Sequence, residues 1–304
     1  MAAGGRGERC PGCGAPRLPM AYCPQCQTPY ETPGQASPPQ PTGRVWQAED
    51  NDAQLELRLR AIAPALALVL AWLVYRSAFG QSFFRVFLSM WVHELGHAVT
   101  AWLSGFAALP GPWRTSVADE RSIVVTLLLL AALGSLGYRA WRARRFGIVA
   151  GAALVALTQL VFTFVLPAER ARALITFGGD GGGLVLGTLL FLTFYSRPGS
   201  YVHRHWLRWG FLVIGAFGFM DPFLQWWRAR SDTDSIPYGE MEGVGTSDPT
   251  RLTDDFNWTE KQLVSRYVTL GVVCLLVMIA AYAYGLYAAR QRALNPRADA
   301  DAGR

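Results

Sequence analysis

The stretch VFLSMWVHELGHAVTAWLSGFAALPGPW, residues 86–113, decides the fold of this chain. Its only formal charge is that of Glu94. A membrane-spanning helix needs about 20 predominantly apolar residues, so this stretch is long enough to cross a bilayer. A carboxylate at bilayer depth costs at least about 2.5–3.5 kcal/mol unless it has a partner. The stretch therefore predicts both burial in a membrane and a polar site around Glu94.

The remainder of the chain is similarly apolar. Of its 304 residues, 51% are hydrophobic and 16% are charged, whereas soluble proteins carry about 25% charged residues. Six further apolar runs cover residues 61–84, 122–138, 146–168, 173–196, 209–227 and 267–289. We therefore expect an all-α polytopic membrane protein with about seven transmembrane helices in the lipid bilayer.

The basic excess of the chain does not indicate a nucleic-acid partner. The formal net charge is +6, and Lys261 is the only lysine. The arginines lie in short loops between apolar runs, where they set membrane orientation. No basic stripe lies on a soluble domain, as nucleic-acid binding would require.

Two CxxC pairs near the N-terminus predict a structural zinc site. Cys10, Cys13, Cys23 and Cys26 supply four thiolates that can close a tetrahedral site. Metal binding would provide the folding energy of so short a segment. The alternative is two disulfides, which need an oxidising compartment. The pattern resembles the small zinc ribbons that begin many bacterial membrane proteins. Zinc bound by four thiolates predicts that the N-terminus lies in the reducing cytosol. The resemblance implies the bacterial cytoplasmic membrane and a protein partner docked on the ribbon.

The chain divides by composition into four parts. Residues 1–27 form the predicted zinc ribbon, and residues 28–60 form a Pro-rich linker with a juxtamembrane segment. Residues 61–196 form the membrane core, and residues 197–304 add transmembrane helices with a polar insert at 228–266. This insert either gates and recognises a substrate or is a solvated loop.

The sequence HELGH at 93–97 carries the chemistry. On a helix, His93 and His97 project from one face, because four residues are close to one turn. Both imidazoles can then bind one Zn²⁺, while Glu94 is near enough to act on a bound water. The alternative is that the histidines form hydrogen bonds between helices and that Glu94 pairs with an arginine such as Arg85.

Residues 91–105 (WVHELGHAVTAWLSG) resemble the site-2 protease family of intramembrane zinc metalloproteases, and the resemblance extends loosely over 61–196. The family takes a third zinc ligand from an Asp-Gly motif, which corresponds here to Asp180 in GGDGGG (178–183). The chain departs from the family in having Gly179 before this aspartate and in lacking the usual upstream asparagine. Asp221 is the rival third ligand, and a helix cap is the alternative role for Asp180.

Two functions follow from this resemblance. The first is an intramembrane zinc metalloendopeptidase that hydrolyses peptide bonds in or near transmembrane helices of membrane-protein substrates. It would use one catalytic Zn²⁺ besides the structural one, and Glu94 would act as general base and then as acid. The second is a catalytically inactive, protease-like membrane scaffold that acts through its zinc ribbon.

The predicted orientation conflicts with the arginine distribution. A cytosolic N-terminus and seven crossings place the loop with Arg139, Arg142, Arg144 and Arg145 outside, against the positive-inside tendency. Either one early segment is re-entrant, or the N-terminus is not cytosolic.

Overall fold

The computed structural model describes residues 9–10, 12–16, 20, 22–27, 44–197, 200–241 and 245–294, with only the backbone described for 44–51. The chain divides into two compact units, Met1–Asp52 and Ala53–Arg304. The first part of the predicted linker and juxtamembrane segment, residues 28–43, lies outside the described residues.

The N-terminal unit is built around the two cysteine pairs. A backbone bridge joins Arg9 to Pro16. The turn between them passes through Gly14, whose φ of +72° favours glycine. Gly14 N donates to Cys10 O at 2.9 Å, and Gln27 N donates to Cys23 O at 2.8 Å. Two tight turns thus present the thiols.

The second unit is mostly helical. Helix α1 (Arg44–Tyr75) begins in the first unit and continues into the second. The other helices of the second unit are α2 (Ala78–Phe84), α3 (Met90–Leu103), α4 (Ile123–Arg142), α5 (Phe146–Leu160), α6 (Ala168–Leu192), α7 (Tyr201–Arg204), α8 (Leu207–Ala229), α9 (Asp248–Asp254) and α10 (Glu260–Leu294). Its strands are β1 (Phe106–Pro110), β2 (Thr115–Arg121), β3 (Glu240–Met241) and β4 (Gly245–Thr246). Short π-helical segments connect α2 to α3 (Arg85–Ser89) and extend α5 (Val161–Val165), and 3-10 turns lie at Thr193–Tyr195 and Thr233–Ser235.

Among the described residues, six helices are long and apolar enough to cross a bilayer. They span Asp52–Tyr75, Ile123–Arg142, Phe146–Val165, Ala168–Tyr195, Leu207–Ala229 and Glu260–Leu294. The polytopic, largely helical architecture expected from the sequence is therefore confirmed. The membrane assignment agrees with the many large apolar side chains exposed along these helices.

The second apolar run differs from the predicted span. Helix α3 ends at Leu103, and the chain then turns back through the antiparallel hairpin β1–β2. Gly105, with φ +81°, makes the reversal. Apolar length alone predicted a helix over residues 86–113. However, residues 106–113 form strand β1 and the hairpin turn.

Helix α6 is the centre of the second unit, and glycines bring its neighbours close. A Cβ on Gly96 of α3 would overlap the carbonyl oxygen of Gly178, and one on Gly215 of α8 would lie 2.7 Å from Gly187 O. Such close contacts stabilise helix pairs in membranes. Stacked rings join α6 to α10 and α8, with centroids 4.1–4.3 Å apart; they belong to Phe177, Tyr267 and Trp226.

The helix ends fall into two sets. At one end, Arg208 at the start of α8 binds Glu56 of α1 at 2.7 and 3.0 Å. Arg60 donates to Ser196 O at 3.3 Å, after the end of α6. At the other end, Arg121 donates to Leu166 O at 2.6 Å, just before α6 begins.

The α2–α3 segment makes no net crossing from one set to the other. The segment begins just after Tyr75, the last residue of α1. It ends at Leu103, whose carbonyl accepts a hydrogen bond from Thr163, a few residues before α6 begins. This course of the backbone is the one that the re-entrant solution to the orientation conflict requires. The Arg139–Arg145 turn then lies at the same end as the start of α1.

The polar insert returns to the helices through α9. Ser247 caps this helix, with Oγ accepting from Thr250 N at 3.5 Å. Leu252 is fully buried in the main core, and Pro249 is also buried. The insert is therefore anchored on the core by an apolar face, and this anchoring positions the first residue of α9, Asp248.

Candidate metal centre

His93 and His97 present their rings on one face of α3, as the HELGH spacing predicts. The ring centroids are 4.8 Å apart, and the two Nε2 atoms are 3.2 Å apart. Both side chains are mostly buried. One helical turn therefore brings two imidazole nitrogens to one point.

The opposite ring nitrogens fix how each histidine is protonated. His97 Nδ1 donates to the carbonyl of Ile175 at 2.7 Å, since a carbonyl can only accept. His93 Nδ1 lies 3.0 Å from Asp180 Oδ1 and donates to this carboxylate. With Nδ1 carrying the hydrogen, the Nε2 lone pair of each neutral ring is available to a metal.

Asp248 completes the cluster. Its Oδ2 lies 3.2 Å from His93 Nε2 and 3.0 Å from His97 Nε2, so three ligand atoms converge. Burial opposes the charge of this carboxylate, whereas positive charge on the two histidines, when their rings are protonated, lowers its pKa. With neutral rings, a bound cation would supply that positive charge.

The spacing of these atoms fits a tetrahedral metal. Ligands at about 2.0–2.1 Å from zinc lie about 3.3 Å from each other, close to the separations of 3.0–3.2 Å seen here. Gly179 of α6 leaves the space: a Cβ there would lie 2.6 Å from both His93 Nε2 and Asp248 Oδ2. Two imidazoles and a carboxylate are ligands that zinc prefers, so the residues present fit this ion.

Asp180 does not occupy the ligand position that the sequence led us to expect. It lies at Nδ1 of His93, whereas the atoms that converge on Asp248 are the Nε2 atoms. Its second oxygen accepts from Trp226 Nε1 at 2.8 Å. A carboxylate at this nitrogen orients a metal-binding histidine and makes it more basic.

Asp221, the rival ligand, lies behind Asp180 instead of among the converging atoms. Its nearest cationic group is Arg85, with Nε 3.8 Å from Oδ2. Arg85 also donates to Gln225 at 3.1 Å. Asp221, Arg85 and Asp180 line one small cavity with His93, which has room for about one water molecule.

Glu94 is buried beside the histidines and is held by the hairpin. Thr115, the first residue of β2, places its hydroxyl 2.7 Å from Glu94 Oε2 and 2.8 Å from Glu94 O. Glu94 is only 4% exposed. The pairing with Arg85 that the sequence left open does not form, since the ion pair of Arg85 within the described residues is with Asp221.

The four N-terminal cysteines form a second cluster. Their sulfur atoms all lie within 4.8 Å of one another. The Cys10–Cys26 and Cys13–Cys23 sulfur separations are 3.5 and 3.6 Å, far beyond a disulfide bond of about 2.05 Å. Four thiolates around zinc at about 2.3 Å would be about 3.8 Å apart, so this geometry fits the ion.

Sequence reasoning missed Asp248. This residue lies in the polar insert, four spanning helices after His97, and belongs to no HExxH or Asp-Gly pattern. The local signal, Ser247-Asp248-Pro249, predicts only the start of a helix.

The chain matches no protein-family model, no curated protein and no solved structure. Its function is therefore inferred from the residues of the two clusters.

Proposed function

We propose that this protein is an intramembrane zinc metalloendopeptidase that hydrolyses peptide bonds in or near the transmembrane helices of membrane-protein substrates. The observation that carries the proposal is the convergence of His93, His97 and Asp248 beside Glu94, within a unit of six apolar helices. A HELGH helix is common to many zinc hydrolases, and the surrounding fold here limits the accessible substrate.

His93, His97 and Asp248 would hold the zinc ion. Asp180 would orient His93 through Nδ1, a role that replaces the ligand role expected from the sequence. Three protein ligands leave a fourth position open, as catalytic sites require. Bound zinc would supply a Lewis acid that polarises the scissile carbonyl and lowers the pKa of a coordinated water.

Glu94 would move the protons. Thr115 engages Oε2, and no described residue donates a hydrogen bond to Oε1. Glu94 would accept a proton from the attacking water as the carbon–oxygen bond forms. It would then give that proton to the departing amine nitrogen as the peptide bond breaks.

The substrate class follows from the depth of the site. Asp180 lies about midway along α6, which is long enough to span a bilayer. A transmembrane substrate helix would need to unwind locally, because its backbone hydrogen bonds occupy the scissile carbonyl.

The cytosolic N-terminus is proposed from the four cysteines, because the two sets of helix ends carry similar numbers of arginines. The ends that share the start of α1 carry Arg139, Arg142, Arg144, Arg145, Arg197, Arg204, Arg290 and Arg292. The opposite ends carry Arg76, Arg114, Arg121, Arg170, Arg172, Arg228, Arg230, Arg251 and Arg266. The four-cysteine cluster would then bind a structural zinc ion in the reducing cytosol and dock a protein partner.

The test is cleavage of a model membrane substrate by the wild-type chain and by Glu94→Gln. The amide keeps the shape of the side chain but cannot accept the proton, so we expect cleavage to fall by at least about 100-fold. Zinc content should stay unchanged. Undiminished cleavage by Glu94→Gln rejects the mechanism. No cleavage by either chain favours the scaffold alternative.

A further inference from the structure

The insert contains a pocket on the side of α9 that carries no metal-site residue. Thr250 and Thr253 of α9 form one wall. Tyr238 and Gly239, which come before α9 in the chain, form another. Trp258, Thr259, Glu260 and Asp254 complete the lining. The pocket is a depression open to solvent, with a volume of about 540 Å³, and its residues Tyr238, Asp254 and Glu260 are exposed.

The lining suits a cation. Asp254 and Glu260 supply two carboxylates, and the lining residues include no lysine or arginine. Burial, followed by the negative charges of Glu260 and Asp254, raises the pKa of Tyr238. Tyr238 adds exposed aromatic surface, whereas the Trp258 ring is already engaged by the Arg266 guanidinium at 3.8 Å. Carboxylates combined with aromatic faces are typical of sites for ammonium and guanidinium groups.

The pocket and the metal centre share α9. Thr250 lines the pocket, and Asp248, two residues earlier, faces His93 and His97. Trp258 packs against Phe177 of α6 with ring centroids 5.8 Å apart. Gly239 N also donates to Thr250 Oγ1 at 3.0 Å. A ligand held between these walls therefore contacts the helix that positions Asp248.

We propose that this pocket binds a lysine or arginine side chain of the substrate segment that leaves the membrane beside the metal centre. The term substrate here rests on the proposed function. The bound side chain bridges α9 and the start of α10, and so holds Asp248 towards the histidines. Recognition of a flanking cation and completion of the metal site are then parts of one event.

The test measures binding of three synthetic transmembrane peptides to the full-length Glu94→Gln chain in neutral detergent micelles. Each peptide has 20 Leu and Ala residues and carries Lys-Lys, Gln-Gln or Glu-Glu at both ends. We expect the Lys-Lys peptide to bind about five-fold more tightly than the Gln-Gln peptide, and the Glu-Glu peptide to bind most weakly.

The double variant Asp254→Asn, Glu260→Gln should remove this preference. The matched control, Asp234→Asn with Asp255→Asn, changes the insert charge by the same amount outside the pocket lining and should retain it. A preference that survives in the pocket variant, or that falls equally in the control, overturns the proposal. Failure of every peptide to bind also overturns it.

Zinc content of the same samples separates the two proposals. If zinc that depends on His93 is present but the lysine preference is absent, only the pocket assignment fails. If that zinc is absent, the proposed enzymatic function fails, whatever the peptides do.

Discussion

At the residue scale, Gly179 creates the space that a metal needs. A side chain there would overlap His93 and Asp248. We expect Gly179→Ala to remove zinc from this site, from about one ion per chain to near zero, because the methyl group fills the space between the ligands. Zinc analysis of the purified chain measures this loss.

Two controls interpret that result. Gly151→Ala adds a methyl group in open space on α5 and should leave zinc unchanged. The methyl group of Gly182→Ala would overlap the backbone of Gly96. This variant shows how much zinc is lost when helix packing is disturbed away from the ligands. Zinc retained in Gly179→Ala would show that the metal does not bind between these residues.

The two aspartates at the centre should differ in their effects. Asp248→Asn removes a ligand charge, so we expect zinc to be lost from the site. Asp180→Asn keeps a hydrogen-bond acceptor at His93 Nδ1 and should weaken zinc affinity by about 10- to 100-fold, as other outer partners of metal ligands do. Chelator competition measures both. If Asp180→Asn lost zinc and Asp248→Asn only bound it more weakly, Asp180 and not Asp248 would be the third ligand.

Residue patterns predicted part of this site. The HELGH spacing predicted that both histidine rings lie on one face of α3, because helix geometry is local, and the role of Glu94 stays a prediction. Asp180 was found as a buried charge, but its role depends on which ring nitrogen it faces. Asp248 comes from a separate element, and no local pattern relates it to α3.

At the element scale, the β1–β2 hairpin restrains Glu94 through Thr115. We expect Thr115→Val, which has a similar shape but no hydroxyl, to lower kcat by about ten-fold without changing zinc content, since the carboxylate loses its hydrogen bond. Thr158→Val, on the exposed surface of α5, is the matched control. An unchanged kcat in Thr115→Val would show that the hydrogen bond from the hairpin to Glu94 does not contribute to catalysis.

Helix α9 carries a ligand into the site, so zinc binding and α9 docking should be coupled. Thermodynamic linkage requires each to stabilise the other by the same factor. We expect zinc to slow hydrogen exchange of the α9 amides in the wild-type chain and to leave them unchanged in His93→Ala.

Leu252→Ala tests the same coupling from the opposite side. It removes a fully buried anchor of α9, at a cost of about 2–5 kcal/mol, and should weaken zinc binding. Leu263→Ala removes an equally buried leucine on α10 and should leave zinc binding unchanged. Equal zinc affinity in the two variants would show that α9 docking does not affect zinc binding.

At the scale of the whole second unit, each of the six spanning helices overlaps one of the apolar runs predicted from the sequence. Apolar length failed at residues 86–113, where the run contains a re-entrant helix and half of a hairpin. Hydropathy cannot detect a reversal that depends on Gly105 and on pairing with β2. The positive-inside conflict was the sequence signal for this feature.

Membrane topology follows from that reversal. We expect epitope tags at the N-terminus and in the Arg139–Arg145 turn to be accessible from the same side, and a tag at Thr233–Ser235 in the insert from the opposite side. Antibody accessibility in intact and permeabilised cells measures this. Tags in the turn and the insert on one side would contradict the six-crossing arrangement.

Zinc per chain, measured on the purified full-length protein, tests the central claim most directly. The account predicts about two ions in the wild-type chain and about one in both His93→Ala and Asp248→Ala, because the four-cysteine cluster retains its own ion. It predicts about two ions in Asp221→Asn. Equal zinc in the wild-type and His93→Ala chains would contradict the account.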